Sequence, residues 1–422
     1  MSPTARAALR RVAVFSVHTS PLDQPGIGDA GGLNVYVTQT ALQLARKGIE
    51  VDIFTRATSS AVPAVVPLAD GVAVHHVDAG PLQPLPKGDL PAQLCALTSG
   101  VLRAESQRPE GWYDLIHSHY WLSGHVGWLA TERWRVPLVH TMHTMARVKN
   151  SHLAGLESPE PSTRVIGEQQ IVAIASRLIA NTQDEAQDLV TLYAADPAKI
   201  SVVNPGVDLD VFHPGSNVAA RASLGLSPDA LVVTFVGRIQ PLKAPDVLVR
   251  AASDLSREFG RRLGIVICGG DSGDSGAGLQ ELRALAHTLG VSESVTFLQP
   301  RPAQDVALLY RASDVVMVPS YSESFGLVAL EAQACGVPVV AAAVGGLRTA
   351  VRDGISGVLV SGHNPSHWAS AIATLLRDEP QRRRMADAAV LHALSFSWEQ
   401  STAKLIAAYE HTLASSQHPS LL

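Results

Sequence analysis

The feature that most constrains the fold of this 422-residue chain is an alternation of short β-branched runs with longer amphipathic stretches. Such alternation is typical of βαβ units, in which helices cover both faces of a parallel sheet. In the first half it predicts strands at residues 12–17, 51–55, 72–77, 115–118, 138–141 and 178–180. A helix is predicted over residues 33–47, with Gly48 closing its carboxyl end.

The second half of the chain repeats this pattern after a turn signal at residues 204–206. It predicts strands at residues 231–236, 264–268, 295–298, 315–318, 339–342 and 357–360. We therefore predict an α/β protein with two doubly wound, Rossmann-like domains, residues 1–206 and 207–395, facing across a deep cleft. Residues 396–422 are expected to form a C-terminal helix that packs back on the N-terminal domain, followed by a tail.

Composition narrows the functional classes. Apolar residues make up 46% of the chain and the formal net charge is −5, which permits a large core and disfavours a general nucleic-acid binder. The three cysteines (Cys95, Cys268 and Cys335) are too scattered for a disulfide framework, which favours a reducing cytoplasm. No apolar run reaches the ~20 residues that span a bilayer, so we expect neither a membrane nor a nucleic acid as partner.

The loop after the first strand is rich in glycine. Gly26, Gly28 and Gly31 match a GxGxxG pattern, but the first glycine comes nine residues after the strand. Thr55 stands where a dinucleotide-binding domain has an acidic residue, so the pattern disfavours NAD. Two interpretations remain: Gly31 and Gly32 let backbone amides approach a phosphate, or the loop is a tight turn without a ligand.

Histidines follow several strands of the first half, at His18, His117, His119, His140 and His143. His18 is either a structural histidine or a ligand contact. Because no carboxylate or thiol accompanies these residues at metal-site spacing, a catalytic zinc ion is disfavoured. We interpret His143 as a hydrogen-bonding group at the cleft.

The strongest signal lies in the second half, where Glu323 and Glu331 are eight residues apart across a strand-to-helix turn. Glu331 falls about one turn into the helix, where it can accept hydrogen bonds from a ribose diol. The amides of residues 324–326 are placed to face an anion. Upstream, Arg238 and Lys243 suit a diphosphate, although on their own they are equally typical of a solvated charge pair.

Together these segments resemble the retaining glycosyltransferases of family 4, which have the GT-B fold. The resemblance is closest to the branch that glycosylates inositol 3-phosphate at the start of mycothiol biosynthesis. It is carried by residues 18–36, 114–124, 148–151 and 322–329. It implies that N-acetylglucosamine moves from UDP-N-acetylglucosamine to 1D-myo-inositol 3-phosphate. The product implied is 1D-myo-inositol 2-acetamido-2-deoxy-α-D-glucopyranoside 3-phosphate.

The resemblance also implies roles for individual residues. Those implied to bind the donor are Gln24, Pro25, Gly32, Arg238, Lys243, Arg301, Glu323 and Glu331. Those implied to face the acceptor are His18, Asp29, Ala30, Gly31, Gly32, Leu33 and Asn34, while Lys87, Tyr120, Thr144 and Arg164 grip its phosphate. The implied catalytic set is His143, Glu323, Arg238 and Lys243. We expect no acidic group among the residues that grip the acceptor phosphate, because that phosphate is a dianion.

The implied chemistry is a front-face displacement in which the leaving phosphate takes the acceptor proton, so no cofactor is required. Relatives have a magnesium ion that would correspond to backbone carbonyls of Tyr310, Arg311, Ser313 and Val337, away from the reaction, and they form homodimers. We expect any such ion to be structural. The sequence departs from relatives at Ala244, where glycine is common, and at Arg348, where proline is common.

Competing interpretations remain open at this point. The same fold serves lipid mannosyltransferases that act on phosphatidylinositol, but these need a basic amphipathic face, and this chain is acidic overall. Synthesis of the sucrose-phosphate type also belongs to family 4. A nucleotide-sugar epimerase, an NAD oxidoreductase or a non-catalytic nucleotide-sugar sensor would share a Rossmann-like half.

Overall fold

The computed structural model describes residues 9–151, 158–271 and 277–416, and all structural statements below concern those residues. The first eight residues and the tail predicted after Ser416 lie outside the described residues. Both predicted parallel sheets are confirmed. Most strand boundaries differ from the sequence prediction by no more than two residues, because a buried parallel strand is a continuous apolar run that periodicity detects well.

The N-terminal sheet has, within the described residues, eight strands in the order β3-β4-β2-β1-β5-β6-β7-β8. The strands are β1 (Arg11–Phe15), β2 (Glu50–Arg56), β3 (Val65–Ala69), β4 (Val72–Val77), β5 (Leu115–His119), β6 (Leu138–Thr141), β7 (Arg177–Ala180) and β8 (Ile200–Val202). Its helices are α1 (Gly32–Arg46), α2 (Leu94–Glu105), α3 (Tyr120–Trp134), α4 (Ala146–Ser151), α5 (Ser162–Ile174) and α6 (Gln183–Tyr193).

Strand β3 was missed from the sequence. It pairs antiparallel with β4 at the edge of the sheet and contains Pro67, with a register shift between Pro67 and Ala69. Proline removes a ladder hydrogen bond and is tolerated at sheet edges. The run Val65–Ala69 is apolar, but a proline in its middle argues against a buried strand, so its sequence gave little signal.

The C-terminal sheet is parallel, with strand order β11-β10-β9-β12-β13-β14. The strands are β9 (Leu231–Val236), β10 (Leu263–Cys268), β11 (Val295–Leu298), β12 (Val315–Val318), β13 (Val339–Ala342) and β14 (Gly357–Val360). The helices are α7 (Asn217–Ser223), α8 (Pro245–Phe259), α9 (Ala277–Thr288), α10 (Ala303–Ala312), α11 (Leu327–Ala334), α12 (Leu347–Ala350), α13 (Pro365–Arg377), α14 (Glu379–Ala393) and α15 (Trp398–Ser416).

Helix α15 follows the C-terminal domain in sequence but packs against the N-terminal one. Its Leu405 and Tyr409 share an apolar cluster with Val12 of β1 and Leu44 of α1. The Tyr409 hydroxyl also lies 2.6 Å from Nδ1 of the buried His117. These contacts connect the two halves at a second place besides the segment between β8 and α7. Among the described helices, none is both long and apolar enough to cross a membrane.

Candidate active site

The carboxyl ends of both sheets border one large cleft of about 910 Å³. Its lining includes all the sequence-predicted donor, acceptor and catalytic residues except Ala30. Ala30 is buried within the first loop, where its carbonyl accepts a hydrogen bond from the Gly26 amide at 3.0 Å. The predicted residues therefore converge from both halves of the sequence onto one cavity.

The glycine-rich loop between β1 and α1 is organised by Asn34. Its Oδ1 accepts a hydrogen bond from the Gly31 amide at 2.9 Å, and its Nδ2 donates to Thr19 Oγ1 at 2.9 Å and to the Ser20 carbonyl at 2.6 Å. Asn34 is 1% exposed. Its side chain shapes the loop that carries Asp29 into the cleft.

The C-terminal half forms the wall of the cleft that faces the glycine-rich loop, and we call it the donor wall. It carries two cations, Arg238 just after β9 and Lys243 in the turn before α8. Lys243 forms an ion pair with Glu323, whose carboxylate also accepts a hydrogen bond from Ser320 Oγ at 3.3 Å. Glu323 lies in the loop between β12 and α11. The first predicted carboxylate is therefore in direct contact with a predicted phosphate-binding cation.

The Glu323 loop lies directly against the loop between β13 and α12. A Cβ atom on Gly346 would lie 2.3 Å from the Phe325 Cα atom, so only glycine fits there. The Gly346 amide donates to the Glu323 carbonyl at 2.9 Å. This backbone contact fixes the approach to α11, whose first residues line the cleft with their amides unpaired within the helix.

Glu331 lies deeper in the donor wall, one turn into α11. Its carboxylate accepts a hydrogen bond from the Tyr310 hydroxyl at 3.2 Å. Burial raises the pKa of Glu331 to about 7, and the nearby Asp208 adds to this effect. A carboxyl group in this position is a strong acceptor for two hydroxyl groups once it is ionised.

The facing wall, which we call the acceptor wall, is built around Arg164 of α5. Its Nε donates to Glu168 Oε1 at 2.7 Å, and its Nη2 donates to the Thr144 carbonyl at 3.1 Å and to Thr144 Oγ1 at 2.9 Å. Its Nη1 lies 2.9 Å from Glu160 Oε2. The Tyr120 ring lies 4.9 Å from the guanidinium carbon. Three of the four predicted phosphate-binding residues are thus in contact.

The fourth residue, Lys87, lies 2.7 Å from Asp29 Oδ1 in an ion pair. Arg238 approaches the same oxygen from the other domain, at 3.9 Å. Burial lowers the pKa of Lys87, although the attraction of Asp29 opposes this shift. Asp29 therefore connects a cation of the acceptor wall with one of the donor wall.

The four residues predicted to grip the acceptor phosphate include no acidic group, but three carboxylates surround them. Asp29 pairs with Lys87, while Glu160 and Glu168 both pair with Arg164. The physical reason is that Arg164 is 4% exposed, and a buried cation must be neutralised by nearby carboxylates. Sequence spacing did contain a signal, because Arg164 and Glu168 are four residues apart on one helix face.

His143 lies at the base of the cleft in a left-handed backbone conformation, with φ of 59°. Its Nε2 is 2.9 Å from Nδ1 of His119, and its carbonyl accepts a hydrogen bond from Ser324 Oγ of the donor wall. Burial lowers the pKa of His143 to about 3, so the ring is neutral near pH 7. It can therefore hydrogen-bond to a sugar without adding a charge.

His18 stacks on Tyr120 with ring centroids 4.4 Å apart, and its buried Nδ1 has no protein hydrogen-bond partner. Burial lowers its pKa well below the usual value, with further contributions from Lys87, His143 and Arg164. Because His18 lines the cleft, this unpaired ring nitrogen can accept a hydrogen bond from a ligand hydroxyl or donate one to it. Within the described residues, no cluster of three or more His, Cys, Asp or Glu side chains could hold a metal ion.

Of the four positions predicted for a structural magnesium ion, Tyr310 and Arg311 lie in the last turn of α10, Ser313 follows that helix and Val337 precedes β13. The Tyr310 carbonyl accepts a hydrogen bond from the Ser313 amide at 2.9 Å, and the Arg311 carbonyl accepts one from Asn217 Nδ2 at 2.9 Å. Each of these two carbonyls retains a second lone pair, so the oxygen donor type fits magnesium. The ion itself stays a prediction.

Sequence reasoning missed three charged residues of the acceptor wall: Lys149, Glu160 and Glu168. Lys149 and Glu160 line the cleft and form an ion pair, and Glu168 is fully buried beneath Arg164. Lys149 lies in the segment 148–151 that carried part of the family resemblance, which was a usable signal. Glu160 lies outside any helix, and its sequence context gave no signal of a role in the site.

Two family models cover most of the chain. Residues 30–211 match Glycosyltransferase Family 4, and residues 218–391 match Glycosyl transferases group 1. A D-inositol 3-phosphate glycosyltransferase from Actinosynnema mirum is 61% identical over 95% of this chain and 97% of its own length.

Two solved structures are also similar. A sucrose-phosphate synthase from Thermosynechococcus elongatus has a TM-score of 0.89 and 30% identity, covering 96% of this chain and 100% of its own. The Anabaena protein HepE, solved in complex with UDP-glucose, has a TM-score of 0.75 and 23% identity, over 96% of this chain and 99% of its own. The HepE likeness supports the fold alone.

Proposed function

Because the chain belongs to the family of D-inositol 3-phosphate glycosyltransferases, which has the GT-B fold, we propose that it glycosylates 1D-myo-inositol 3-phosphate. The donor in this proposal is UDP-N-acetylglucosamine, and the α configuration at the anomeric carbon is retained. The observation that carries the proposal is the position of Arg164, Thr144 and Tyr120 on one wall, opposite Arg238 and Lys243 on the other. One wall suits a phosphorylated acceptor and the other a nucleotide diphosphate.

On the donor wall, Arg238 and Lys243 would bind the diphosphate, and the free amides at the start of α11 would add to its stabilisation. Glu331 would accept hydrogen bonds from the ribose, and Glu323 would hold the sugar hydroxyls. Lys243 is paired with Glu323 in this structure. Donor binding would therefore replace a carboxylate by a phosphate beside Lys243, leaving Glu323 available for the sugar.

On the acceptor wall, Arg164, Thr144, Tyr120 and Lys87 would bind the phosphate of the inositol. His18 and the loop held by Asn34 would face the ring hydroxyls. This placement would bring one hydroxyl to the front face of the anomeric carbon. Holding two reactants in this way supplies much of the rate enhancement by itself.

The proposed reaction needs no covalent intermediate. The inositol hydroxyl oxygen forms the new bond to the anomeric carbon on the face that the UDP oxygen leaves. The departing phosphate oxygen takes the hydroxyl proton. Arg238 and Lys243 stabilise the charge that develops on that phosphate, and neutral His143 hydrogen-bonds to the sugar. A magnesium ion at the carbonyls near Tyr310 would have a structural role only.

The sucrose-phosphate synthase suggests a second acceptor class, but its identity of 30% is half that of the inositol phosphate relatives. The acceptor proposal therefore follows the latter. The homodimer and the cytoplasmic location predicted from the sequence also remain proposals. Light scattering of the purified chain and fractionation of the source cells would test them.

The deciding experiment measures UDP release from UDP-N-acetylglucosamine with 1D-myo-inositol 3-phosphate, with free inositol and without acceptor. We expect release with the phosphorylated acceptor alone. UDP-glucose in place of the proposed donor tests the donor sugar, and the anomeric coupling constant of the product by NMR tests retention. Binding of UDP-N-acetylglucosamine without any turnover would reject the acceptor while leaving the donor site in place.

A further inference from the structure

The acceptor wall already holds an anion beside its central cation. The carboxylate of Glu160 contacts Nη1 of Arg164 and Nζ of Lys149, and all three residues line the cleft. Burial alone would raise the pKa of Glu160, but Arg164 and Lys149 outweigh it and lower the pKa. The group is therefore an ionised carboxylate between two cations, which is also the arrangement that a phosphate requires.

Each nitrogen of the Arg164 guanidinium already contacts an oxygen acceptor of the protein. A phosphate that binds at Nη1 therefore meets the Glu160 carboxylate, which already contacts that nitrogen. Glu168 is 0% exposed and also accepts hydrogen bonds from the Ala146 amide and the Tyr193 hydroxyl, so it is fixed. Thr144 engages Arg164 partly through its backbone carbonyl.

Glu160 differs from these two acceptors. It lies outside any helix, its side chain is 19% exposed, and its carboxylate is held by the two cations. Its backbone is anchored separately, because its amide donates to Asn150 Oδ1 at 2.8 Å. The carboxylate can therefore leave Arg164 by side-chain rotation without loss of that anchor.

Lys149 has no assigned role in the proposed reaction. It lies in the last turn of α4, and its charge contributes to lowering the pKa of Lys87. The charges of Lys87 and Arg164 in turn both lower the pKa of His18. Lys149, Lys87 and Arg164 thus belong to one cationic cluster around the acceptor side of the cleft.

We propose that the Glu160 carboxylate occupies the position in which the acceptor phosphate binds, and that the phosphate displaces it from Arg164 and Lys149. Lys149 is then a further phosphate-binding residue, and Glu160 determines which acceptors can bind at this position. Only a doubly charged phosphate at hydrogen-bonding distance replaces a carboxylate there, so uncharged and singly charged acceptors are rejected. This inference rests on the proposed function, because it takes Arg164 as the phosphate site.

The test compares Glu160→Gln with the wild type at pH 8, where a phosphate monoester is a dianion. We expect the KM for 1D-myo-inositol 3-phosphate to fall about ten-fold, because the competing charge is gone. If Glu160 instead orients Arg164, the same variant raises this KM, and the proposal is overturned. Glu258→Gln removes a carboxylate paired with Arg377 on the surface, and is the matched control.

Glu160→Asp provides a second variant that keeps the charge. Its shorter side chain reaches the two cations less well, so the KM should fall by a smaller factor, whereas an orienting role predicts a rise. Lys149→Met should raise the KM several-fold, and adding it to Glu160→Gln should cancel the roughly ten-fold decrease in KM. A double variant with the same low KM as Glu160→Gln would remove Lys149 from the phosphate site.

Inorganic phosphate separates this inference from the proposed function. Its dissociation constant, measured by calorimetry, should also decrease about ten-fold in Glu160→Gln, whatever the acceptor proves to be. A wild type that releases no UDP with 1D-myo-inositol 3-phosphate would reject the proposed function. Weaker phosphate binding by Glu160→Gln would reject the inference, even if the wild type is active.

Discussion

The two walls of the cleft are built in different ways. The donor wall depends on backbone contacts between loops of one domain, such as the Gly346 amide on the Glu323 carbonyl. The acceptor wall depends on ion pairs and hydrogen bonds between side chains, with Arg164 held by Glu168, Thr144 and Glu160. The donor wall is therefore an arrangement of loops, whereas the acceptor wall is a network of charges.

This difference has a functional consequence. A site made of backbone amides and two cations suits a diphosphate that every donor of the class carries. A site made of balanced charges suits discrimination, because each buried charge is costly unless it is matched. We therefore expect changes in the donor wall to weaken binding of the donor. Changes in the acceptor wall should weaken binding of the phosphorylated acceptor and leave donor binding unchanged.

The largest expected effect is a loss of activity when a cation of the donor wall is removed. Lys243→Met removes a cation that stabilises the leaving phosphate, and kcat/KM should fall by about 10²–10³-fold. Steady-state assays of UDP release with 1D-myo-inositol 3-phosphate should show this reduction, and the dissociation constant of UDP-N-acetylglucosamine should rise with it. Lys404→Met, an exposed lysine of α15, is the matched control. An unchanged dissociation constant for the donor would contradict the division between the walls.

The acceptor wall should respond selectively. Lys87→Ala removes a charged hydrogen bond to the acceptor phosphate, worth about 1.5–3 kcal/mol, so kcat/KM for 1D-myo-inositol 3-phosphate should fall about 10–100-fold. The dissociation constant of UDP-N-acetylglucosamine, measured by calorimetry, should stay unchanged. A matching loss of affinity for UDP-N-acetylglucosamine would remove Lys87 from the phosphate site.

The same contrast explains how much the sequence could predict. The donor wall comes from short contiguous segments, residues 237–243 and 323–331, which a family resemblance identifies directly. The acceptor wall depends on Glu160 and Glu168, which in sequence look like ordinary surface carboxylates. The pair of Glu168 and Arg164 lies on one face of α5 and could be read from their spacing, whereas Glu160 meets Lys149 only when α4 packs against the segment before α5. For the fold, continuous apolar runs identified the buried strands, whereas the run of the exposed edge strand β3 is interrupted by Pro67, which disfavours a strand.

A smaller expected effect is a dependence of donor affinity on pH. The pKa of Glu331 is raised to about 7, so its carboxylate ionises as the pH rises through this value. Only the ionised form accepts hydrogen bonds from both ribose hydroxyls. Affinity for UDP-N-acetylglucosamine, whose diphosphate does not titrate in this range, should therefore increase by up to about ten-fold from pH 6 to 8. Calorimetry should show a flatter profile for Glu331→Gln, and an equally steep one would exclude Glu331 as the cause.

The smallest expected effect is a change in the free energy of unfolding, caused by a substitution in the loop that carries Lys243. Ala244 follows Lys243 with a φ of 50°, where a residue with a side chain is strained by roughly 1–2 kcal/mol. Glycine relieves this strain but adds about 0.4–1 kcal/mol of entropy to the unfolded chain. Ala244→Gly should therefore raise the free energy of unfolding, measured in urea, by about 1 kcal/mol or less. It should also weaken donor binding slightly, because the Lys243 loop becomes less rigid.

Ala194→Gly is the matched control in the other domain. Ala194 ends α6 with a φ of 54° and lies outside the cleft lining. We expect a similar change in the free energy of unfolding with no change in donor affinity. If both variants weaken donor binding equally, then loop rigidity at Ala244 has no special connection to Lys243. The donor wall would in that case depend on global stability rather than on its own loop geometry.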